Sequence, residues 1–353
     1  MPVATQLEFH RSPNFANLLR TMEKQRQADG QIAHREKEFG VHDMAYGDRK
    51  KCLLITGATG SLGGELVARY YPQYHIFAHG RNADKLLRLK MQYPRIETVL
   101  GDLRSPGIRD AVRQADVVIH TAAQKYVNLA ERHCFYTVDT NVNCTFELAD
   151  LAARHGVERF IFISTDKSSF PTNVYGITKY LAERLILELA EVYPQTRFVI
   201  CRFGNIFGSN GSVVQLWLEA TRRRQPIQVT DPDMTRFMFS LEDATETVHY
   251  ALTQGRSGDI IIPKMKSVCL RDLMQLFAGA RIEIIGRRPG EKIHETLYVH
   301  GEVATGYETE RYYVLNAHDS QPLNIRELNS AECERVPVPT LRLWLEQVQR
   351  RAA

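Results

Sequence analysis

From Lys51 to about Arg202 the chain alternates short apolar runs with amphipathic stretches. The runs are CLLITG, YHIFAHG, RIETVLGD, DVVIHTAA, RFIFIST and RFVICRFGN. Unbroken apolar runs separated by helical segments are what a parallel sheet covered on both faces requires. The pattern predicts a doubly wound α/β architecture over residues 49–203. Beyond Phe203 the alternation loosens. VVQLWLEATRRR and LEDATETVHYALTQ predict helices, and DIIIP and RIEIIG predict short strands. Residues 204–330 are expected to form mainly a smaller substrate domain, with segments returning to the first, and 331–353 a C-terminal helix or tail. Residues 1–48 read as a polar extension in which NFANLLRTMEKQRQ predicts one amphipathic helix. Every chemical motif lies beyond Lys51, so the extension is expected to serve assembly.

Composition adds limits. The 353 residues are 44% hydrophobic and 24% charged, ordinary for a globular chain with a large core. No apolar run approaches the ~20 residues of a membrane helix, and the N-terminus lacks a signal-peptide pattern. A cytoplasmic protein with no membrane partner is therefore expected. The six cysteines are scattered without a CxxC pair and read as reduced thiols. A net charge of +4 suits anionic small ligands and is too weak to argue for nucleic acid. The histidines show no metal spacing, so no metal is expected.

LLITGATGSLGGELVARY carries Gly57, Gly60 and Gly63 between a strand and a helix. That context marks a dinucleotide site, with the pyrophosphate against the helix N-terminus. It gives the α/β layer a Rossmann character. Thr59, Ser61 and Leu62 fill the same loop. The second strand ends in AHGRNADK, with no acid at its tip for a ribose hydroxyl. Arg81 and Lys85 stand there instead and suit the extra phosphate of NADP. Asn82 lies between them. Asp102, next to Leu103, is placed to accept from an adenine amine.

STDKSSFPTNVYGITK holds the candidate chemistry. Tyr175 and Lys179 are four apart and share one face of the next helix. An ammonium near a phenol lowers its pKa toward working pH, so Tyr175 is expected to act as a base toward a hydroxyl as hydride leaves carbon. Asp166 and Lys167 stand side by side just upstream, at the end of the fifth apolar run. A solvated surface ion pair is the plain alternative for them.

On these motifs the chain resembles the extended short-chain dehydrogenases/reductases. Within them it is similar to the inverting UDP-N-acetylglucosamine 4,6-dehydratases. The matching stretches are TGATGSLG, GRNADK, GDLRS, HTAAQK, STDKSSFPTNVYGITK, RFGNIFGSNGSVV, DPDMTRF and RRPGEKIHE, in order from about 52 to 315. The resemblance implies oxidation at carbon 4, elimination of water across carbons 5 and 6, and hydride return to carbon 6. Tyr175 then takes the hydroxyl proton, Lys167 takes the carbon 5 proton, and Asp166 protonates the leaving hydroxyl. Thr165 holds a hydroxyl against the substrate oxygen. Lys167 must be neutral part of the time, so its pKa is expected to be depressed. The retaining enzymes generally carry a glutamate at this position, which favours inversion here. Ala122, Ala123 and Lys125 are implied at the cofactor. Lys125, Asn205, Val213, Thr230, Arg236, Arg288 and Glu291 are implied at a UDP-sugar. A homo-oligomer, dimer or hexamer, is expected. Gln124 departs from the family pattern, where an apolar residue is usual. A UDP-sugar 4-epimerase, a dehydratase making a different alkene, and a non-catalytic dinucleotide sensor stay open as alternatives.

Overall fold

A computed structural model describes residues 50–299, 301, 302 and 305–352. The extension 1–48 and its expected helix lie outside the described residues. The six apolar runs form β1 (Cys52–Thr56), β2 (His75–Gly80), β3 (Glu97–Leu100), β4 (Val117–His120), β5 (Arg159–Thr165) and β6 (Arg197–Phe203). After them come β7 (Asn205–Ile206), β8 (Ile227–Val229), β9 (Thr235–Phe239), β10 (Ile260–Pro263) and β11 (Ser267–Cys269). β12 (Ile282–Ile284), β13 (Thr296–Tyr298), β14 (Gly306–Glu308), β15 (Tyr312–Leu315) and β16 (Leu328–Asn329) follow.

The main sheet has nine strands in the order β14-β15-β10-β6-β5-β4-β1-β2-β3. From β3 to β10 every neighbour is parallel. β15 and β14 add an antiparallel edge. The doubly wound architecture is therefore the one the alternation predicts. β1 is buried at all five positions because helices cover both of its faces. Strand order reverses between β1 and β4, which opens a crevice at the carboxyl ends of the strands.

Local signals set the helix starts. Pro106 opens the helix Pro106–Gln114, where a missing N–H costs nothing. Ser240 and Asp243 form a capping box on Leu241–Gln254. The Asn173 side chain accepts from Gly176 N at 2.8 Å and starts the helix Val174–Val192.

From Lys50 onward the chain is one compact unit with two apolar cores. The first follows the main sheet, which β10 joins from the later half of the chain. The second gathers Phe207, Trp217, Met234, Phe277 and, from the C-terminal helix Val338–Ala352, Leu341. The two-stranded β12–β8 sheet belongs to this later region.

Candidate active site

A cavity of about 600 Å³ lies in the crevice. At its cofactor end, Gly57 turns the chain out of β1 with φ +69°. A Cβ there would lie 2.7 Å from Thr121 Oγ1 and 2.9 Å from Ala122 N, so the turn admits only glycine. The helix Ser61–Tyr70 then begins at Gly60 with no side-chain cap, which leaves its first N–H groups for a ligand. The cavity is lined by Gly57, Thr59, Gly60, Ser61, Leu62, Gly63, Arg81, Asn82, Lys85, Asp102, Leu103, Ala122, Ala123, Lys125, Tyr175 and Lys179. The structure thus gathers every residue expected at a dinucleotide.

Asn82 caps the next helix by accepting from Lys85 N at 2.9 Å. Arg81 donates to the Tyr136 hydroxyl. Lys125 donates to Asn210 O at 2.5 Å. Burial, and then the charge of Lys85, lower the Lys125 pKa. Lys85 and Lys125 line the same cavity as the uncapped N–H groups, a wall that suits an anion. The buried departure Gln124 is satisfied locally. Its Oε1 accepts from Tyr126 N at 2.9 Å and its Nε2 donates to Tyr126 O at 3.3 Å, which brackets Lys125.

At the reacting end, β5 runs into a single 3₁₀ turn, Asp166–Ser168. Thr165, Lys167, Tyr175, Lys179 and Asn205 line the cavity there, and Asp166 lies just behind with 0% exposure. Asp166 Oδ1 accepts from Thr165 Oγ1 at 2.9 Å and from Lys167 Nζ at 3.0 Å. Its Oδ2 is buried with no hydrogen-bond partner among the described residues. The pair is therefore no solvated surface pair. Lys167 Nζ also donates to Asn205 Oδ1 at 3.3 Å and stands 3.5 Å from Glu295 Oε1.

Two electrostatic expectations are corrected. Burial opposes the Lys167 charge, yet the carboxylates of Asp166 and Glu295 outweigh it and hold its pKa above the ordinary lysine value. The Tyr175 phenol is not lowered either. Burial raises it to about 12, against the opposing pull of Lys167. It is Lys179 that shifts toward neutrality, to about 7, because burial disfavours its ammonium more than Glu183 supports it. Its Nζ donates to Ile163 O at 2.6 Å and stands 3.8 Å from the centre of the Phe162 ring.

The substrate-side residues separate. Lys125 and Asn205 line the cavity, whereas Val213, Thr230, Arg236, Arg288 and Glu291 are not in its lining. The Arg236 guanidinium is taken up by the carbonyls of Thr235, Ile293 and Lys292. Glu291 Oε2 accepts from Arg288 N at 3.2 Å and closes the turn.

Comparison with known proteins places this geometry. Residues 53–317 match the model of a polysaccharide biosynthesis protein family. The chain belongs to that family. The match starts in β1, ends just past β15, and contains every site motif named above. Among relatives, an uncharacterized membrane protein of Methanocaldococcus jannaschii is 37% identical over 287 residues, 76% of this chain and 86% of that protein. Among the described residues here, no helix is long and apolar enough to cross a membrane. A UDP-glucose 4-epimerase of Rickettsia bellii is 32% identical over 298 residues, covering 80% and 86% of the two chains. The crystal structure of Pen from Bacillus thuringiensis superposes with a TM-score of 0.79 at 29% identity, over 85% of this chain and 99% of that one.

In this polysaccharide biosynthesis family member, two distant motifs dock on each other. Gly290 O accepts from Thr172 Oγ1 at 3.1 Å and from Asn173 Nδ2 at 3.2 Å. Lys292 Nζ donates to Ser169 O at 3.1 Å. RRPGEKIHE thus closes over the segment that carries Asp166 and Lys167. Behind both lies a buried charge network absent from the sequence reading. Arg202 Nη2 donates to Glu183 Oε2 at 2.6 Å and its Nη1 to Glu302 Oε2 at 2.5 Å. Glu183 Oε1 also accepts from Ser168 Oγ at 2.7 Å, and from Ser164 Oγ. Arg202, set in the otherwise apolar run FVICRF, was the available signal. Gly176 completes the support. A Cβ on it would lie 2.2 Å from Lys167 O, so the helix carrying Tyr175 rests directly on the turn carrying Lys167.

Proposed function

We propose that the chain is an NADP-dependent nucleotide-sugar 4,6-dehydratase acting on UDP-N-acetylglucosamine with inversion at carbon 5. The observation that carries this reading is the buried Asp166–Lys167 pair beside Tyr175, since a 4-epimerase needs no second acid and base. When bound, a nicotinamide dinucleotide accepts hydride from carbon 4 and later returns it to carbon 6. Tyr175 takes the hydroxyl proton at carbon 4 as its own phenolic proton passes to the Lys179 amine, which burial holds near neutrality. Transfer of one proton across the 3.0 Å Lys167–Asp166 contact makes both partners competent together. The Lys167 amine then takes the carbon 5 proton, and the Asp166 acid protonates the departing carbon 6 hydroxyl. This reconciles a lysine held as ammonium with its use as a base.

The Rickettsia relative supports a second reading, a UDP-sugar 4-epimerase. Incubation with UDP-N-acetylglucosamine in deuterated water, followed by proton NMR, separates the two. A 4-keto-6-deoxy product with deuterium at inverted carbon 5 is expected. A carbon 4 epimer with protium at carbon 5 would establish the epimerase instead.

Arg81 and Lys85 at the cavity wall support a preference for the 2′-phosphate. NADP is expected to bind at least about tenfold more tightly than NAD, the worth of one charged hydrogen bond. Arg81→Ala is expected to erase most of the difference. Equal dissociation constants in the native protein would contradict the NADP assignment.

A further inference from the structure

Glu295 is buried at the junction of the two docked motifs, and no expectation from the sequence singles it out. Its Oε1 is 3.5 Å from Lys167 Nζ and 4.0 Å from Arg236 Nε, and its Oε2 is 3.7 Å from Lys292 Nζ. Oε2 has no hydrogen-bond partner among the described residues. The backbone is pinned on both sides, with Glu295 N donating to Ser330 Oγ and Ser330 N to Glu295 O, each at 2.8 Å. Three cations from three elements converge on this one carboxylate. Lys167 comes from the turn after β5, Arg236 from β9, and Lys292 from the loop before β13.

We propose that Glu295 is a positioning residue for the elimination step, which holds the Lys167 ammonium against Asp166 and sets the pH at which that lysine gives up its proton. The inference rests on the dehydratase reading for its link to elimination. The charged and titratable groups around Lys167 are Asp166 on its own turn, Tyr175 on the following helix, Arg236 on β9, and Glu295 with Lys292 on the closing loop. Glu291 lies one layer out, 3.8 Å from Arg236. Of these, only Asp166 and Glu295 are carboxylates within 4 Å of Lys167 Nζ. Asp166 is consumed as an acid when the leaving hydroxyl departs. Glu295, clamped by Arg236 and Lys292, keeps Nζ in place while Asp166 gives up its proton. An opposite charge at this range shifts a lysine by about 1–3 pH units.

The test has two arms. In protein labelled with carbon-13 lysine, the Lys167 signal is assigned by its loss in Lys167→Ala and titrated by NMR. Glu295→Gln is expected to move its midpoint down by at least about one pH unit, and Glu295→Asp is expected to restore most of the shift. In the second arm, the alkaline limb of deuterium incorporation at carbon 5 is expected to move down by the same amount. The pH profile of hydride transfer, followed by transient NADPH absorbance, is expected to stay in place. An unmoved Lys167 midpoint overturns the proposal, as does an alkaline limb that stays fixed while the midpoint moves. The titration needs no substrate. If the wild type removes no water, the dehydratase reading fails, and the titration alone then decides whether Glu295 governs Lys167.

Discussion

Replacing Lys167 with alanine is expected to lower water elimination by about 10²–10⁴-fold, the usual worth of a positioned acid or base. Hydride transfer at carbon 4, assigned to Tyr175 and Lys179 in the proposed mechanism, is expected to survive in part. The variant therefore shows transient NADPH absorbance, almost no 4-keto-6-deoxy product, and almost no deuterium at carbon 5. Near-normal elimination would remove Lys167 from the mechanism and leave Tyr175 as the base. The substitution also acts on the fold. The Lys167 side chain is only 16% exposed and separates Asp166 from Glu295, so alanine leaves two buried carboxylates facing each other. A lysine whose pKa is raised on folding contributes stability that is fully present below its unfolded value and is lost as pH rises through the folded one. Lys167→Ala is accordingly expected to be less stable than the native protein at neutral pH, with the difference shrinking only in strong alkali. Chemical denaturation at pH 7 and at pH 11 reads both the size and the sign.

The largest effect on stability is expected from Glu183→Ala. Glu183 is 1% exposed and meets the Arg202 guanidinium through both oxygens. Deleting it strands a buried cation, for which a loss of about 3–5 kcal/mol is typical. Glu302 stays bonded to Arg202 but is partly exposed and compensates little. A fall in the thermal midpoint on the order of 10 °C follows for a chain of this size. The double variant Glu183→Leu, Arg202→Met removes the charge from both sides and is expected to recover much of the loss, since apolar replacement of a buried pair is often nearly neutral. A midpoint within about 2 °C of the native one in Glu183→Ala would show that the network carries little.

How much of this was legible in the chain depends on how local the determining contacts are. The glycine loop, Arg81, Lys85, Asp102 and the Tyr175–Lys179 pair each follow a strand or open a helix. Their order along the chain already places them at the carboxyl edge of the sheet, and all line one cavity. The helix Leu241–Gln254 coincides with LEDATETVHYALTQ because its apolar face lies within those fourteen residues and its capping box needs only Ser240 just before them. The ionisation states were not legible. The Lys167 ammonium is supported first by Asp166 beside it and then by Glu295, which comes from much later in the chain and which no spacing near Lys167 announces. Tyr175 and Lys179 share a helix face, as four-residue spacing requires, but their pKa values are set by burial. Arg236 was implied at a UDP-sugar by the motif resemblance alone, and nothing in the sequence signals that three backbone carbonyls accept from its guanidinium.

The contact of Gly176 with the Lys167 carbonyl gives the site one stiff jaw. Tyr175, Lys179, Asp166 and Lys167 all ride on it, so on the proposed mechanism the groups for oxidation and those for elimination keep a constant spacing while a sugar passes from one step to the next. On the dehydratase reading, accommodation of the sugar then falls to the facing segments 204–206 and 209–212, which line the same cavity and meet the stiff jaw where Lys167 reaches Asn205 at 3.3 Å. On that reading, chemistry and choice of sugar are carried by different pieces of the chain, and each is free to change without the other.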